Sequence, residues 1–258
     1  MSAGQDAPVA IVTGAGAGIG QATVRLLLDR GYRVVAADVS PEALAWAEGL
    51  ASVLAVTADV SREADNEAMV TSALDGFGRL DAVVLNAGIA RRTLWDEDDA
   101  VDAYDRIMAV NARGVMLGIR CSAPAMAARG GGAIVVVAST SGVRADPQRF
   151  AYNASKAAAI NLARAAALDW AGRGVRINAV APGPTMTSIF QSGRLTDEHL
   201  AELIRPIPLG RLGEPAEQAE AIAFLASPAA SFITGAVLMC DGGITANVGI
   251  FPPAQGQV

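Results

Sequence analysis

The sequence predicts an α/β fold in which a parallel sheet of about seven strands carries helices on both faces. Short apolar segments rich in valine, isoleucine and alanine alternate with longer segments of helical periodicity along most of the 258 residues. The short segments are apolar almost throughout, which is typical of strands covered on both sides. This strand–helix–strand alternation favours right-handed crossovers and therefore a doubly wound sheet.

The predicted elements follow in order along the chain. The strands are Val9–Thr13, Arg33–Asp38, Val53–Ala58, Ala82–Asn86, Ala133–Ser139, Arg176–Ala181 and Val237–Cys240. The helices are Gly18–Arg30, Pro41–Glu48, Arg62–Phe77, Ala100–Arg129, Phe150–Gly172, Thr196–Leu203 and Pro215–Ala226. Three helix ends carry a glycine suited to the left-handed conformation that closes a helix, namely Gly31, Gly76 and Gly172.

No linker, internal repeat or second domain interrupts this alternation, so residues 1–258 are expected to form one domain. Residues 1–7 are expected to be a flexible N-terminus. Residues 244–258 are expected to be a tail that is either disordered or packed on a neighbouring subunit. The segment 184–213 is too long for a simple connection, and we expect it to form a partly helical lid over a substrate.

Composition excludes several classes of function. The chain is 52% hydrophobic with a formal net charge of -6, which argues against an overall affinity for nucleic acid or anionic membranes. No apolar segment approaches the ~20 residues that span a bilayer, and the N-terminus lacks the pattern of a secretory signal. We therefore expect a cytoplasmic protein with two free thiols. His199 is the only histidine, which excludes histidine-dependent triads and clustered histidine metal sites unless His199 itself takes part, and we predict no metal site.

A glycine-rich loop follows the first predicted strand. The residues Thr13-Gly-Ala-Gly-Ala-Gly-Ile-Gly20 place glycines at 14, 18 and 20, with an extra one at 16. Glycine permits positive φ and lets a pyrophosphate approach the backbone, and the next helix would offer free N–H groups to phosphate. The strand–loop–helix context favours a dinucleotide site. The alternative is a glycine-rich turn without a ligand.

Two carboxylates end the next two predicted strands. Asp38 lies eighteen residues after Gly20, where it can accept hydrogen bonds from an adenosine ribose diol and repel a 2′-phosphate. No basic residue lies within the loop or directly after Asp38, so we predict NAD(H) rather than NADP(H). Asp59, followed by Val60, is placed to meet the adenine edge. The alternative for Asp59 is a cap for the helix that begins near Arg62.

Tyr152 and Lys156 lie one turn apart on one face of a predicted helix. An ammonium near a phenol favours the phenolate and lowers the tyrosine pKa from about 10, which would let the tyrosine exchange a proton near neutral pH. Ser139 lies thirteen residues upstream, at the end of an apolar strand. Taken by itself, the pair is also compatible with an ordinary surface contact.

These motifs together resemble the short-chain dehydrogenase/reductase family from about Val9 to Gly243. The glycine loop, Asn86-Ala87-Gly88, Pro182-Gly183 and Asp241-Gly242-Gly243 are similar to family motifs in type and order. The resemblance implies a Rossmann-like domain and a catalytic set of four residues: Asn111, Ser139, Tyr152 and Lys156.

The resemblance also implies individual roles. Tyr152 would be the general acid/base and Ser139 would bind the substrate oxygen, with Ser141 as a competing candidate. Lys156 would hold the nicotinamide ribose and lower the Tyr152 pKa, and Asn111 would hold a water in a proton relay. The implied cofactor-binding set is Gly14, Gly18, Ile19, Gly20, Asp38, Asp59, Val60, Asn86, Ala87, Gly88, Tyr152, Lys156, Pro182, Gly183, Thr185 and Thr187.

The segments after strands four, five and six should form the substrate mouth. An apolar wall there could come from Trp95, Phe150, Met186, Ile189, Phe190 and Leu195. Arginines in the first two segments favour an anionic substrate, although solvated surface residues are the alternative; they are Arg91, Arg92, Arg144 and Arg149.

The leading functional prediction is an NAD-dependent oxidoreductase that interconverts a small secondary alcohol and a ketone. One alternative is a reductase of 3-oxoacyl groups on a carrier protein or coenzyme A. Another, from a different class, is a non-catalytic dinucleotide-binding protein. The alanine-rich helix 150–172 resembles a subunit-interface helix of the family, so we predict a homotetramer, with a dimer as the runner-up.

Overall fold

The structure is a computed structural model, and it describes residues 6–187 and 196–247. Seven parallel strands form one sheet: β1 (Val9–Thr13), β2 (Arg33–Asp38), β3 (Val53–Thr57), β4 (Ala82–Leu85), β5 (Gly132–Val137), β6 (Val175–Pro182) and β7 (Val237–Cys240). Their order across the sheet is β3-β2-β1-β4-β5-β6-β7. This is the doubly wound parallel sheet that the sequence predicts, and strand ends differ from the predicted ones by at most two residues.

The helices pack on both faces of the sheet. They are α1 (Gly18–Asp29), α2 (Glu63–Phe77), α3 (Ala100–Met108), α4 (Gly114–Ala127), α5 (Phe150–Trp170), α6 (Asp197–Ile204) and α7 (Pro215–Ala226). The predicted helix Pro41–Glu48 is a 3-10 helix at Glu42–Ala47. None of the helices in the described part of the chain is both long and apolar enough to cross a bilayer.

Side-chain alternation along the strands gives each face of the sheet its own core. Ile11 of β1 packs in one core with residues of α2, α4 and α5, among them Met69 and Ile160. Its neighbour Val12 packs in the other core with residues of α1 and α7, among them Leu27. Complete burial of a side chain of this size contributes roughly 1.5–3 kcal/mol, so the two cores hold the sheet rigid beneath its loops.

The predicted helix Ala100–Arg129 is interrupted. A π-helical turn at Ala109–Arg113 separates α3 from α4, and Asn111 lies within it, fully buried. A π turn inserts one extra residue and changes the direction of the side chains around it, and such turns are frequent at functional sites. No proline or glycine lies within residues 100–113, so the sequence gives no helix-ending signal at the turn and predicts one unbroken helix.

Two of the predicted helix-ending glycines are wrong. Gly76 lies inside α2, where a Cβ atom would come within 2.5 Å of the Leu54 side chain, so this glycine allows close packing. The left-handed residue that ends α2 is Gly78, with φ of 79°. After α5 the left-handed residue is Gly174 rather than Gly172. Gly31 has φ of 81°, as predicted.

Candidate active site

The glycine loop lies at the carboxyl edge of the sheet, between β1 and α1. Gly14 and Gly18 have φ of 64° and 54°, a conformation that side chains with a Cβ rarely adopt. A Cβ at Gly20 would lie 2.0 Å from the Gly14 carbonyl oxygen, so no other residue fits there. Ala17, the N-cap of α1, has no side chain that could accept from the first helical N–H groups. Those groups are therefore suited to hydrogen-bond a phosphate.

Asp38 closes one side of this loop. Its carboxylate accepts hydrogen bonds from the Gly16 N–H at 2.9 Å and from the Ser40 N–H at 3.1 Å. A Cβ on Gly16 would lie 2.8 Å from the Asp38 carboxylate, so the absence of a side chain at Gly16 leaves room beside that carboxylate. A negatively charged acceptor beside a phosphate loop fits an adenosine ribose with two free hydroxyls.

Asp59 and Val60 lie at the end of the neighbouring strand. One Asp59 carboxylate oxygen accepts from the Ser61 backbone N–H at 2.9 Å and from its hydroxyl at 2.7 Å. Arg62, and not Asp59, is the N-cap residue of α2, so the alternative of a helix cap does not hold. Val60 is buried, and its carbonyl oxygen accepts from the Asn66 side chain.

Asn86 joins the end of β4 to the loop. Its side-chain amide donates to the carbonyl oxygens of Thr13 and Gly14 at 2.9 and 3.1 Å. The Thr13 hydroxyl in turn accepts from the backbone N–H groups of Asn86 and Ala87, both at 3.0 Å. The sequence identified Thr13 only as the first residue of the loop motif, and the structure shows that its hydroxyl also joins β1 to the segment after β4.

Lys156 is buried next to the end of β5. It is the only lysine of the chain, and its side chain is 4% exposed. The ammonium donates to the Val137 carbonyl oxygen at 2.9 Å and lies 5.8 Å from the centre of the Tyr152 ring. Burial disfavours the charged form and lowers the lysine pKa to about 8. A Cβ on Gly88 would lie 3.2 Å from both the Lys156 ammonium and the Asn111 carbonyl oxygen, so a side chain at this position would crowd both groups.

The Tyr152 pKa moves in the direction opposite to the predicted one. Burial of the phenol raises its pKa, and the Asp146 carboxylate raises it further. A hydrogen bond with Ser139 and the charge of Arg149 lower it, but these effects are smaller than that of burial. The prediction had counted the nearby Lys156 charge and had omitted the loss of water around the phenol.

Ser139 and Ser141 have different partners. Ser139 hydrogen-bonds the Tyr152 phenol, accepts from the Ser141 backbone N–H at 3.1 Å and donates to the Ser141 hydroxyl at 3.1 Å. The Ser141 hydroxyl donates to the Asp146 carboxylate at 2.5 Å, which directs it away from the tyrosine. The geometry favours Ser139 over Ser141 as the serine that shares a substrate oxygen with Tyr152.

Asn111 holds the segment after β4. Its carbonyl oxygen accepts from the Ile89 N–H at 2.8 Å, and its amide donates to the Ile89 carbonyl oxygen at 2.9 Å and to the Ser155 hydroxyl at 3.0 Å. The Ser155 hydroxyl donates to the Tyr152 carbonyl oxygen at 2.8 Å. Asn111 therefore fixes the backbone beside Gly88 relative to the start of α5.

The segment after β6 returns to the glycine loop. Gly183 packs against Asp241, where a Cβ would lie 2.7 Å from the aspartate Cα. Thr185 donates its hydroxyl to the Gly183 carbonyl oxygen at 2.9 Å. A Cβ on Gly18 would lie 3.4 Å from the Thr187 methyl group, so Thr187 covers the loop. Three predicted wall residues lie outside the described part of the chain: Ile189, Phe190 and Leu195.

Comparisons with known proteins decide the family. A family model described as enoyl-(acyl carrier protein) reductase matches residues 14–245. The chain is 39% identical to 2-(R)-hydroxypropyl-CoM dehydrogenase of Xanthobacter autotrophicus over 246 residues, which are 92% of this chain and 98% of that protein. It is 43% identical to cis-4-hydroxycyclohexanecarboxylate dehydrogenase of Sinomonas cyclohexanicum over 242 residues, 92% and 96% of the two chains. The chain belongs to the short-chain dehydrogenase/reductase family.

A solved structure of this family shares the fold. The crystal structure of 3-ketoacyl-(acyl-carrier-protein) reductase from Brucella melitensis complexed with NADH matches with a TM-score of 0.86 at 36% identity, covering 92% of this chain and 98% of that one. The protein is accordingly a nicotinamide-dependent oxidoreductase that interconverts an alcohol and a carbonyl compound by hydride transfer.

The four arginines that the sequence predicts at the substrate mouth are of two kinds. Arg91 is ion-paired with Asp99 and Glu97, and Arg144 donates to the Asn247 carbonyl oxygen. The other two, Arg92 and Arg149, are exposed and form no ion pair with any carboxylate of residues 6–187 and 196–247. Beside them the Trp95 ring stacks on the Phe150 ring, with centroids 4.1 Å apart.

Proposed function

We propose that the protein is an NAD-dependent dehydrogenase of a small secondary alcohol, with Tyr152 as the general acid/base. The observation that carries the proposal is the position of Tyr152, which hydrogen-bonds Ser139 and has the Lys156 ammonium 5.8 Å from its ring centre. All three residues lie at the sheet edge that also bears the glycine loop. A substrate oxygen at this edge would meet a hydroxyl, a phenol and a nearby cation together.

NAD, when bound, supplies the hydride acceptor, and the protein supplies orientation and proton transfer. Ser139 binds the substrate oxygen and stabilises the negative charge that develops on it. Tyr152 takes the hydroxyl proton during oxidation and returns it during reduction. Lys156, with a pKa of about 8, is mostly protonated at pH 7, and its charge favours the phenolate. Because burial raises the Tyr152 pKa, the phenol form that serves reduction is the resting form near neutral pH.

The preference for NAD(H) over NADP(H) rests on Asp38. Its carboxylate lies against the Gly16 N–H, at the position where an adenosine ribose would enter, and a phosphate there would meet a like charge. The most direct measurement is kcat/KM with each cofactor at saturating alcohol. A preference for NADP(H) would overturn this part of the proposal.

The proton-transfer assignment is tested with Tyr152→Phe. We expect this variant to bind NADH nearly as well as the wild type, measured by fluorescence titration, and to lose most of its turnover in both directions. A suitable first screen follows NAD reduction with cyclohexanols, sugar alcohols and hydroxy acids, because relatives are named for compounds of these kinds. Near-wild-type turnover by Tyr152→Phe would show that another group moves the proton.

A second candidate function is reduction of a 3-oxoacyl thioester, because a similar solved structure is a 3-ketoacyl-(acyl-carrier-protein) reductase. A carrier-bound or coenzyme A thioester is anionic, but two of the four arginines predicted to favour an anionic substrate, Arg91 and Arg144, are already bound within the chain. The two functions separate in one assay, which compares a 3-oxoacyl thioester with a simple ketone at equal concentration. A large advantage of the thioester would favour the second candidate.

Further parts of the proposal concern assembly and organisation. We keep the single domain, the cytoplasmic location and the lid over 184–213 as predictions. A homotetramer is supported by exposed apolar side chains on α3, α4 and α5, namely Val101, Met116 and Leu168. Light scattering coupled to size exclusion distinguishes a tetramer from the dimer that is the runner-up.

A further inference from the structure

Arg149 is the mouth arginine whose charge reaches the reacting end of the site. It is the N-cap residue of α5, three positions before Tyr152, and its carbonyl oxygen accepts a hydrogen bond from the Asn153 N–H at 2.9 Å. Its positive charge lowers the pKa of the Tyr152 phenol. The guanidinium is exposed, so a ligand can reach it.

The backbone around Arg149 is held in place. Gln148 adopts a positive φ of 61° and accepts a hydrogen bond from the Thr93 N–H at 2.8 Å, and Thr93 and Arg149 pair as neighbours in a short parallel bridge. Phe150 follows, with the Trp95 ring stacked on it. A cation presented from a fixed backbone loses less freedom on binding than one on a loose loop.

Asp146 is the carboxylate that opposes Arg149 at Tyr152. It accepts a hydrogen bond from the Ser141 hydroxyl, and its backbone is bonded to the Asn153 side chain. No carboxylate of residues 6–187 and 196–247 lies within ion-pair distance of Arg149. Arg149 is therefore a cation beside the reaction centre whose charge no described residue neutralises.

We propose that Arg149 binds an anionic group of the substrate, a carboxylate, sulfonate or phosphate separated from the reacting carbinol by a short apolar spacer. A guanidinium offers such groups paired hydrogen bonds, and the exposed Trp95 ring on Phe150 offers an apolar surface for the spacer. The inference rests on the proposed alcohol dehydrogenase function and names the substrate class of that site.

The test uses pairs of alcohols that differ in charge and by one methyl group. 3-Hydroxybutanoate, 4-hydroxypentanoate and 5-hydroxyhexanoate are compared with their methyl esters, and kcat/KM for NAD-dependent oxidation is measured for each pair. Sulfonate and phosphate analogues of the best spacer length then distinguish the three anions. We expect the wild type to prefer the acid over its ester by about 10- to 100-fold at one spacer length, the range typical of a charged hydrogen bond.

The variants are Arg149→Met and, as a control with the same change in net charge, Arg129→Met. Arg129 is exposed just after α4, at the opposite edge of the sheet. We expect the ratio of acid to ester to fall to near one in Arg149→Met and to stay at the wild-type value in Arg129→Met. A second readout is the pH profile with the ester, which should shift to higher pH in Arg149→Met because a charge that lowers the Tyr152 pKa is gone.

The outcomes separate this inference from the function on which it rests. If esters and neutral alcohols are oxidised in a Tyr152-dependent manner but no acid is preferred at any length, the anion site is refuted and the dehydrogenase function stands. An acid preference that survives in Arg149→Met also refutes the role of Arg149. If no acid, ester or neutral alcohol is oxidised, the proposed function fails and this inference fails with it.

Discussion

Replacing Lys156 with methionine should remove a pH dependence from the stability of the cofactor-free protein. The ammonium is buried in the folded chain and has a pKa of about 8, against 10.5 for an exposed lysine. At 1.36 kcal/mol per pH unit, this difference corresponds to about 3 kcal/mol. The wild type therefore bears a cost of about 3 kcal/mol at pH 7 for keeping this charge inside, and Lys156→Met does not.

The sign follows from the direction of the pKa change. Since the folded-state pKa lies below the unfolded one, protons bind more tightly to the unfolded chain and destabilise the fold. The protein is therefore free of this destabilisation above pH 10.5, where Lys156 is neutral in both states, and the free energy of unfolding falls as the pH decreases from 10.5 to about 8. The free energy of unfolding of the wild type should rise relative to that of Lys156→Met by about 3 kcal/mol between pH 7 and pH 10.5.

The assay is equilibrium urea unfolding of both proteins at intervals over this pH range, with the difference between the two taken at each pH. Tyrosines and cysteines also titrate there, but both proteins contain them and their effects largely cancel in the difference. Arg129→Met serves as a control for the loss of a surface charge and should run parallel to the wild type. Parallel curves for Lys156→Met would refute the reasoning.

A second measurement reads the same pKa directly. Because Lys156 is the only lysine, protein labelled with ¹³C-lysine gives one set of side-chain NMR signals. We expect the titration midpoint near pH 8. A midpoint at or above 10.5 would mean that water reaches the ammonium, and that burial does not set its pKa.

Three further predictions concern the serine pair, the glycine loop and the cofactor carboxylate. Ser139→Ala should lower kcat by about 10²- to 10³-fold, the effect of losing one hydrogen-bond donor to a developing oxyanion, whereas Ser141→Ala should lower it by less than about tenfold in the same steady-state assay. Gly20→Ala should destabilise the fold by about 1–3 kcal/mol in urea unfolding and weaken NADH binding in fluorescence titrations, because its Cβ would clash with the Gly14 carbonyl oxygen. Asp38→Ala should lower kcat/KM with NAD by about 10- to 100-fold and leave kcat/KM with NADP unchanged or higher, and equal losses with both cofactors would contradict the ribose assignment.

The sheet could be predicted because its strands differ clearly from the rest of the chain in amino-acid composition. Each strand is a short apolar segment with a polar or glycine residue at its end or within the next two positions, and a parallel sheet brings these ends to one edge. The features that could not be predicted from the sequence are local details of the backbone. The π turn that carries Asn111 changes the backbone geometry within a segment that the sequence predicts to be one helix. Gly76 cannot be distinguished in the sequence from a glycine that ends a helix, although in the structure it packs against Leu54.

The candidate site divides in the same way. The positions of the glycine loop, Asp38 and the pair formed by Tyr152 and Lys156 could be predicted because each depends on spacing within one segment, while their roles stay predictions. The direction of the Tyr152 pKa depends on how deeply the phenol is buried, which is a property of packing between distant segments. The ion pairs of Arg91 depend on where the chain after Trp95 folds back, which spacing does not fix.

Burial pushes both members of the acid–base pair toward their neutral forms. It raises the pKa of Tyr152 and lowers that of Lys156. The phenolate therefore depends on the few groups that lower the Tyr152 pKa. Arg149 is one of them, and it is also the residue that we propose binds the substrate anion. An anion seated on Arg149 would neutralise its charge and raise the Tyr152 pKa further. Oxidation of an acid should therefore need a higher pH than oxidation of its ester, while reduction of the matching keto acid, which needs the phenol, should proceed well at neutral pH.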